Sequence, residues 1–243
     1  MAKSRFYCPA KLATGAILNL PENVAHHAAK VLRMKTGDSL TLFNGDGHDY
    51  MAEILRLLKG EAAVKIGQQL PVANESPLRV TLMQAISSGE RMEFTLQKAV
   101  ELGVTAIQPI AAERSVVKLS GERAEKRQEH WQNVVIAACE QSGRATVPQV
   151  APILGLAEWL GQRQEFALKL LLSPSADNTL HTLLKPDGDI CLLIGCEGGL
   201  SPQEQQLAES CGFQLVRLGA RVLRTETAAM AALAAMQTLW GDF

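Results

Sequence analysis

The stretch Ile194-Gly-Cys-Glu-Gly-Gly-Leu-Ser-Pro-Gln-Glu204 is the strongest guide to the architecture of this chain. The apolar run over residues 189–194 predicts a buried strand of a parallel sheet. Ser201 as N-cap, Pro202 in the first turn and Glu204 three residues after the cap indicate a helix start. Three glycines between strand and helix allow the close approach of a ligand, although a tight turn alone would also explain them. Ligands of open α/β sheets bind at the carboxyl ends of strands, where this loop is expected to lie.

A second loop of this kind follows further along the chain. Residues 213–218 alternate between apolar and polar as a strand does, and the loop Gly219-Ala-Arg-Val-Leu-Arg224 comes next. The Ala-rich run from Thr225 to Trp240 then predicts a long helix. Because both loops follow strands of one predicted sheet, we expect them to line the same pocket.

Strands and helices alternate over most of the chain, which predicts an α/β fold with a parallel sheet and helices on both faces. The predicted strands are 78–85, 104–110, 166–172, 189–194 and 213–218. The predicted helices include 90–102 and 124–142.

The first seventy or so residues differ from the rest because they contain several short strand patterns around one helix. The strands are predicted at 5–8, 39–43, 48–57 and 62–70, and the helix at 22–33. The segment Leu70–Pro77 holds two prolines and no apolar periodicity, which is typical of a linker. We therefore predict two domains, residues 1–72 and 73–243.

Composition describes an ordinary globular protein of 243 residues, with 47% hydrophobic and 20% charged residues. No apolar run has the length of a membrane span and no apolar signal segment opens the chain, so we expect a cytoplasmic protein with no membrane contact. No two of the five cysteines have the two-residue spacing of a zinc or redox motif, so no metal site is expected. Residues 1–75 carry nine Lys/Arg against seven Asp/Glu, whereas residues 151–243 carry six against ten. Any RNA contact is therefore expected before residue 151, although such small imbalances are also typical of a solvated surface.

The two loops together carry a family resemblance. Gly195-Cys-Glu-Gly-Gly-Leu-Ser201 followed by Leu218-Gly-Ala-Arg-Val-Leu-Arg-Thr-Glu-Thr-Ala228 closely resembles the bacterial 16S ribosomal RNA uridine-N3 methyltransferases, which belong to the SPOUT superfamily. Further matching segments are Arg5–Tyr7, His27–Asp38, Glu90–Phe94, Lys98–Val104 and Glu140–Arg144. The chain departs from the family at Cys196, where the family usually has proline, and cysteine does not fix φ as proline does.

The resemblance implies a SPOUT-type knotted parallel sheet with helices on both faces, preceded by a small PUA-like β-barrel domain that binds RNA. It implies a trefoil knot in the last third of the chain, which no sequence rule would predict. It also implies S-adenosyl-L-methionine as cofactor and 16S rRNA as substrate, methylated within the assembled small subunit. It further implies a homodimer. The stripe Met230, Leu233, Met236, Gln237 and Trp240 on the last helix is typical of either a core or a partner interface.

Three loops at strand ends are expected to bind the cofactor, with adenine in an apolar slot formed by Leu172, Leu218 and Leu223. The candidate cofactor-binding residues are Leu172, Ser173, Ile194, Gly195, Glu197, Gly198, Gly199, Leu218, Gly219, Val222, Leu223 and Thr225. Loop leucines can also be core residues, and a dual role is expected for Leu218 and Leu223.

Uracil N3 carries a proton that must leave before or during methyl transfer, and a carboxylate near the methyl donor could accept it. Glu197 and Glu226 are the candidate bases, and Arg224 is the candidate group that stabilises negative charge on the uracil oxygens. Glu226 has an equally good alternative role, because a carboxylate in the first turn of a helix interacts favourably with the helix dipole.

The resemblance and local chemistry also suggest RNA contacts outside the cofactor loops. The candidates are Arg5, His27, Arg33, Lys35, Arg91, Lys98 and Arg144. A surface ion pair with Glu101 is the simpler explanation for Lys98, and ordinary helix capping is the simpler one for the Gly143–Arg144 pair. Two other functions remain open: a SPOUT ribose 2′-O methyltransferase acting on tRNA or rRNA, and a non-catalytic RNA-binding assembly factor.

Overall fold

The computed structural model describes residues 4–58, 60–162 and 165–243. The chain divides into two compact units, one of residues 1–75 with 139–147 and one of residues 76–138 with 148–243. The sequence did not indicate that residues 139–147, which include the end of a long helix, belong to the first unit. Among the described residues, no helix combines the length and the apolarity that crossing a membrane requires.

The first unit is built on a five-stranded sheet. Its strands are β1 (Arg5–Tyr7), β2 (Ile17–Asn19), β3 (Ser39–Phe43), β4 (His48–Leu58) and β5 (Glu61–Pro71). The strand order is β1-β3-β4-β5-β2, and only the β1–β3 pair is parallel. Helix α1 (Glu22–His26) continues into a π-helical turn, His27–Val31, where the sequence predicted one helix to residue 33. Arg33 follows in the left-handed region, with φ +53°.

Alternating burial along the hairpin strands builds the core of this unit. β4 and β5 bury Tyr50, Ala52 and Ile54 on one strand and Ala62, Val64 and Ile66 on the other, as the period of two requires. These side chains pack in one cluster with apolar residues of β1, β3 and α1.

Two arginines predicted to bind RNA form enclosed ion pairs in this unit. Arg5 is paired with Asp49 at 2.8 Å, donates to the carbonyl oxygens of Cys139 and Arg144, and lies 3.8 Å above the ring of Phe43. Arg144 is only 4% exposed, and its guanidinium donates to both carboxylate oxygens of Glu75, at distances from 2.6 to 3.1 Å. Charged groups this enclosed must be paired to be tolerated. Both guanidinium groups hold this unit together, and contact of Arg5 and Arg144 with RNA stays a prediction of the resemblance.

The second unit contains a seven-stranded sheet in which every strand pairing is parallel. Its strands are β6 (Val80–Ala85), β7 (Ala106–Ala111), β8 (Gln149–Val150), β9 (Leu154–Gly155), β10 (Leu168–Leu172), β11 (Ile190–Ile194) and β12 (Gln214–Val216). Its helices are α2 (Glu90–Glu101), α3 (Glu122–Ser142) up to residue 138, α4 (Leu156–Leu160), α5 (Pro202–Ser210) and α6 (Thr225–Trp240). The short strands β8 and β9 and the helix α4 were not predicted.

The strand order β12-β10-β11-β6-β7-β8, with β9 also beside β7, determines where the loops meet. All five residues of β11 are buried, as expected for a strand flanked by β6 and β10 and covered on both faces. Because β10, β11 and β12 are neighbours and parallel, the loops that follow them emerge at one edge of the sheet.

Helix α6 buries most of the apolar stripe identified in the sequence. Leu233, Met236, Gln237 and Trp240 are all buried within the second unit, and Gln237 donates to the carbonyl oxygen of Leu102 at 2.9 Å. These residues are therefore core residues of this unit, so they do not themselves argue for a partner interface.

Replacing Arg144 by methionine should destabilise the protein by about 2 kcal/mol or more, because Glu75 would lose its buried partner. Thermal unfolding of Arg144→Met and of the exposed control Arg33→Met should show a lowered midpoint for the first variant only. An unchanged midpoint for Arg144→Met, together with weaker binding to small ribosomal subunits, would contradict the stabilising role and support Arg144 as an RNA contact.

Candidate active site

A cavity of about 790 Å³ opens at the edge of the second unit's sheet where β10, β11 and β12 end. Its walls come mainly from residues within 171–175, 194–200 and 216–228, with Arg91 from the start of α2 and Arg114 from the loop after β7. All twelve residues proposed from the sequence to bind the cofactor line this cavity, as do the candidate catalytic residues Arg224 and Glu226. The volume and the mixture of apolar and polar walls are typical of a site for a small ligand.

The glycine loop after β11 is a tight turn closed by its own backbone. The amide of Gly199 donates to the carbonyl oxygen of Cys196 at 2.8 Å, and Gly199 adopts a φ of +67°. A Cβ atom on Gly195 would lie 3.1 Å from the Cα of Gly199 and 3.2 Å from the amide nitrogen of Leu200. Backbone atoms cannot yield as a flexible side chain does, so Gly195 is needed for the turn to close. Cys196, at the position where the family usually has a proline, is buried in this turn. The turn is closed by the hydrogen bond from Gly199 to the carbonyl oxygen of Cys196.

Helix α5 begins with the capping box that the sequence predicted. The hydroxyl of Ser201 accepts from the amide of Glu204 at 3.2 Å, and the Glu204 carboxylate accepts from the amide of Ser201 at 2.9 Å. The second carboxylate oxygen of Glu204 accepts from the amide of Glu113 at 2.8 Å. The cap thus also fastens the loop after β7 to the glycine loop.

Arg114 is a cavity residue that the sequence analysis missed. Its guanidinium donates to the carbonyl oxygens of Gly198, at 3.1 Å, and of Leu200, at 3.3 Å. A Cβ atom on Gly198 would lie 3.2 Å from the Cβ of Arg114, so these two residues pack closely. The one available signal was its position after the predicted strand 104–110, at the same edge of the sheet.

Thr225 connects three parts of the second unit. Its hydroxyl donates to the carbonyl oxygen of Gly195 at 2.6 Å and accepts from the side-chain amide of Gln84, on β6, at 2.9 Å. Thr225 and Gln84 are both buried. Thr225 thus joins the start of α6 to the glycine loop and to the middle of the sheet. Its partner Gln84 was not identified from the sequence.

Glu197 holds the loop before α2 against the glycine loop. One carboxylate oxygen accepts from the amide of Ser88 at 2.9 Å, from its hydroxyl at 2.8 Å and from the guanidinium of Arg91 at 3.1 Å. Partial burial alone would raise the pKa of Glu197, but the hydrogen bonds from Ser88 and Arg91 outweigh it and lower the pKa below its usual value. A carboxylate with a lowered pKa is a poor proton acceptor, which argues against Glu197 as the base.

Glu226 differs from Glu197 in that one of its carboxylate oxygens accepts no hydrogen bond from the described residues. It lies in the first turn of α6 and lines the cavity, and its Oε2 atom is buried without a hydrogen-bond partner among the described residues. Buried polar atoms normally have partners, so a carboxylate oxygen without one beside a cavity is a candidate acceptor for a ligand. Arg224, two residues earlier at the N-cap of α6, is exposed at the cavity.

Positive charge dominates the rim of the cavity. Five arginines line it: Arg91, Arg114, Arg217, Arg221 and Arg224. Glu197 and Glu226 are the two carboxylates among its lining residues. Arginine forks match the geometry of phosphate oxygens, so the excess of arginine favours a polyanionic ligand at the mouth.

The remaining RNA candidates are not among the residues that line this cavity. Lys98 pairs with Glu101 at 2.8 Å, as the simpler interpretation of its spacing predicted. His27, Arg33 and Lys35 are exposed on the first unit, where the His27 ring also contacts Phe6 edge-on at 5.4 Å. No cluster of His, Cys, Asp and Glu suited to a metal ion occurs in the described part of the chain.

Two family models match this chain. The one described as an RNA methyltransferase domain matches residues 74–237, and the one described as an RNA methyltransferase PUA domain matches residues 20–67. Among named relatives, the ribosomal RNA small subunit methyltransferase E of Buchnera aphidicola subsp. Schizaphis graminum is 36% identical, over 98% of this chain and 97% of its own length. The protein of the same name from Bacillus subtilis is 31% identical, over 87% and 86%.

Two solved structures are also similar to this chain over nearly its whole length. A ribosomal RNA small subunit methyltransferase E from Neisseria gonorrhoeae, bound to S-adenosyl methionine, is 49% identical and matches with a TM-score of 0.92 over 99% of each chain. A putative methyltransferase from Legionella pneumophila, also with bound S-adenosylmethionine, is 41% identical and matches with a TM-score of 0.96 over the whole of both chains.

The predicted fold class is confirmed: an N-terminal PUA-type unit precedes a SPOUT-type α/β unit with a parallel sheet. The threading of the last third of the chain into a knot stays a prediction of the resemblance. The chain belongs to the RNA methyltransferase family that includes the ribosomal RNA small subunit methyltransferases E.

Proposed function

We propose that this protein transfers a methyl group from S-adenosyl-L-methionine to N3 of a specific uridine in 16S rRNA, in the assembled small ribosomal subunit. The names of its relatives support the small-subunit RNA, and the two solved structures support the cofactor. The observation that carries the proposal is that one cavity, at the ends of β10, β11 and β12, is lined by every residue expected to bind that cofactor. A 16S rRNA substrate would make this a cytoplasmic enzyme.

The cavity walls suit the parts of the cofactor. Leu172, Leu218 and Leu223 supply apolar surface for adenine, and the turn at Gly195 and Gly199 exposes backbone groups that side chains would otherwise cover. S-adenosylmethionine supplies an electrophilic methyl group when bound. The task of the chain is then to hold the acceptor at attack distance, roughly 3–3.5 Å, in a fixed orientation.

The arginine rim suits the acceptor. RNA phosphates would be held by the exposed side chains of Arg217 and Arg221, and Arg224 lies closest in sequence to the candidate base Glu226. As N3 loses its proton, negative charge spreads onto the neighbouring uracil oxygens. A guanidinium at this place stabilises that charge and so lowers the barrier.

Gly195→Ala should weaken binding of S-adenosylmethionine by at least about tenfold, or ~1.4 kcal/mol. The added Cβ would meet the backbone of Gly199 and Leu200, so the turn that forms one wall of the cavity would have to open. Calorimetric titration should be compared with Gly155→Ala, where an added Cβ meets nothing within 4 Å. Equal affinities for the two variants would move the cofactor elsewhere.

Arg224→Ala should bind S-adenosylmethionine almost normally but methylate small subunits about 10²–10³ times more slowly, because the charge it stabilises develops toward the transition state. Raising the pH should partly restore the rate, since uracil then ionises without help. The assay uses small subunits from a strain that lacks the enzyme, and mass mapping of the 16S rRNA locates the methyl group.

The mapping also tests the proposed reaction. A methyl group on a ribose 2′-oxygen, or none with the unaltered protein, would contradict base methylation at N3. A slow Arg224→Ala variant that does not respond to pH would keep the reaction but remove Arg224 from this role.

We also propose a homodimer, with α6 at the interface. The face of α6 opposite its buried stripe is apolar and partly open, with Ala231, Ala234, Ala235 and an exposed Leu239. Sedimentation at micromolar concentration should give twice the mass of one chain. Leu239→Arg should shift the protein toward monomer, whereas Leu207→Arg, at an exposed leucine of α5, should not. A monomeric mass for the unaltered protein would contradict the dimer.

A further inference from the structure

A second cavity of about 570 Å³ lies in the second unit, beside the first. Helix α2 lines it with residues between Glu90 and Gln97, α3 contributes Val134 and Ala137, and Glu226 closes one side. Arg91 and Glu226 line both cavities. The second cavity therefore begins where the proposed cofactor site ends.

The charge of this second cavity is unsuited to a phosphate. Three carboxylates line it, those of Glu90, Glu93 and Glu226, against the single guanidinium of Arg91. Glu93 is paired with Arg127 at 3.8 Å and contacts the ring of His130 at 2.8 Å, and Arg91 is itself paired with Glu197. Like charges repel, so the RNA backbone is expected at the arginine rim of the first cavity and a neutral group is expected here.

Phe94 makes the second cavity suitable for a flat ring. It lies in the middle of α2 and its side chain is 43% exposed, although large aromatic residues of helices are usually buried. Val134 and Ala137 add apolar surface to the same cavity. Proteins that bind single-stranded or unpaired nucleotides stack bases on exposed aromatic rings in this way.

Glu226 provides the polar contact that a uracil ring requires. Its buried Oε2 has no hydrogen-bond donor among the described residues, whereas one carboxylate oxygen of Glu197 already accepts three hydrogen bonds. The N3–H group of uracil is a donor. Of the two candidate bases, Glu226 is therefore the one whose buried oxygen lacks a donor, which the N3–H group would supply.

We propose, on the basis of the function proposed above, that the target uracil enters the cavity between α2 and α3, stacks on Phe94 and gives its N3 proton to Glu226. The proton passes to Oε2 and the electron pair of the N–H bond stays on N3. That pair forms the new bond to the methyl carbon while the bond from carbon to the cofactor's sulfur breaks and leaves its pair on sulfur. Glu226 afterwards releases the proton to water.

Two variants test the two halves of this proposal on small subunits that lack the modification. Glu226→Gln keeps the size of the side chain but cannot accept the proton, so turnover should fall about 10²–10⁴-fold with unchanged affinity for S-adenosylmethionine, and a higher pH should partly restore it. Phe94→Ala should raise KM more than it lowers kcat, because it removes a stacking surface. Glu209→Gln, at an exposed carboxylate of α5, is the control and should behave like the unaltered protein.

A measurement independent of turnover locates the uracil ring on the protein. Small subunits that carry 4-thiouridine are irradiated with the protein in the absence of cofactor, and the cross-linked peptide is identified by mass spectrometry. Cross-links should map to residues 90–97 of α2 and should be lost in Phe94→Ala.

The outcomes separate this proposal from the one on which it rests. If the unaltered protein fails to methylate small subunits, the proposed function itself fails. If it methylates them and Glu226→Gln is equally active, Glu226 is not the base. Cross-links confined to residues 217–224 would overturn the uracil site. So would concentration-dependent protection of α2 from hydrogen exchange without RNA cross-links, because a second copy of the chain would then occupy the cavity.

Discussion

The hydroxyl of Thr225 is the contact on which the proposed active site depends. It joins the carbonyl oxygen of Gly195 to the side chain of Gln84, and so fixes the first turn of α6 against the glycine loop and the centre of the sheet. Arg224 precedes this residue and Glu226 follows it. A buried, fully used hydroxyl is costly to replace, since each partner left behind would be unsatisfied. The positions of the candidate charged groups are therefore set by one neutral side chain between them.

Charge divides the two cavities into different chemical environments. The first has five arginines at its rim and suits the phosphates of an RNA chain, whereas the second has three carboxylates and an exposed phenylalanine and suits an uncharged ring. The residues shared by both, Arg91 and Glu226, are the ones that a nucleotide would pass as its base turns from the backbone toward the methyl donor. Unstacking a base costs a few kcal/mol, which stacking on an aromatic ring partly offsets.

Local sequence patterns were sufficient where the interactions are local. The capping box of Ser201 and Glu204 was predictable because the two residues are three positions apart. The strand within residues 189–194 was predictable because a run of apolar residues indicates a buried parallel strand whatever its partners are. The roles of Arg144 and Gln84 were not, since their partners Glu75 and Thr225 are 69 and 141 positions away. The resemblance alone suggested that Arg5 and Arg144 contact RNA, and a matching arginine in a sequence cannot be distinguished from a buried ion pair.

Glu197 shows why a carboxylate in a catalytic loop need not be a base. Its lowered pKa means that its charge favours the folded state above the usual pKa of a glutamate, and that this contribution is lost only as the pH falls through the lowered value. At neutral pH the ionised form is thus favoured, and it accepts hydrogen bonds from Arg91 and Ser88. That pairing holds the guanidinium of Arg91 at the boundary between the two cavities and reduces the positive charge it offers there. An RNA phosphate is then favoured at the exposed arginines of residues 217–224, which leaves the entrance to the second cavity open to the base.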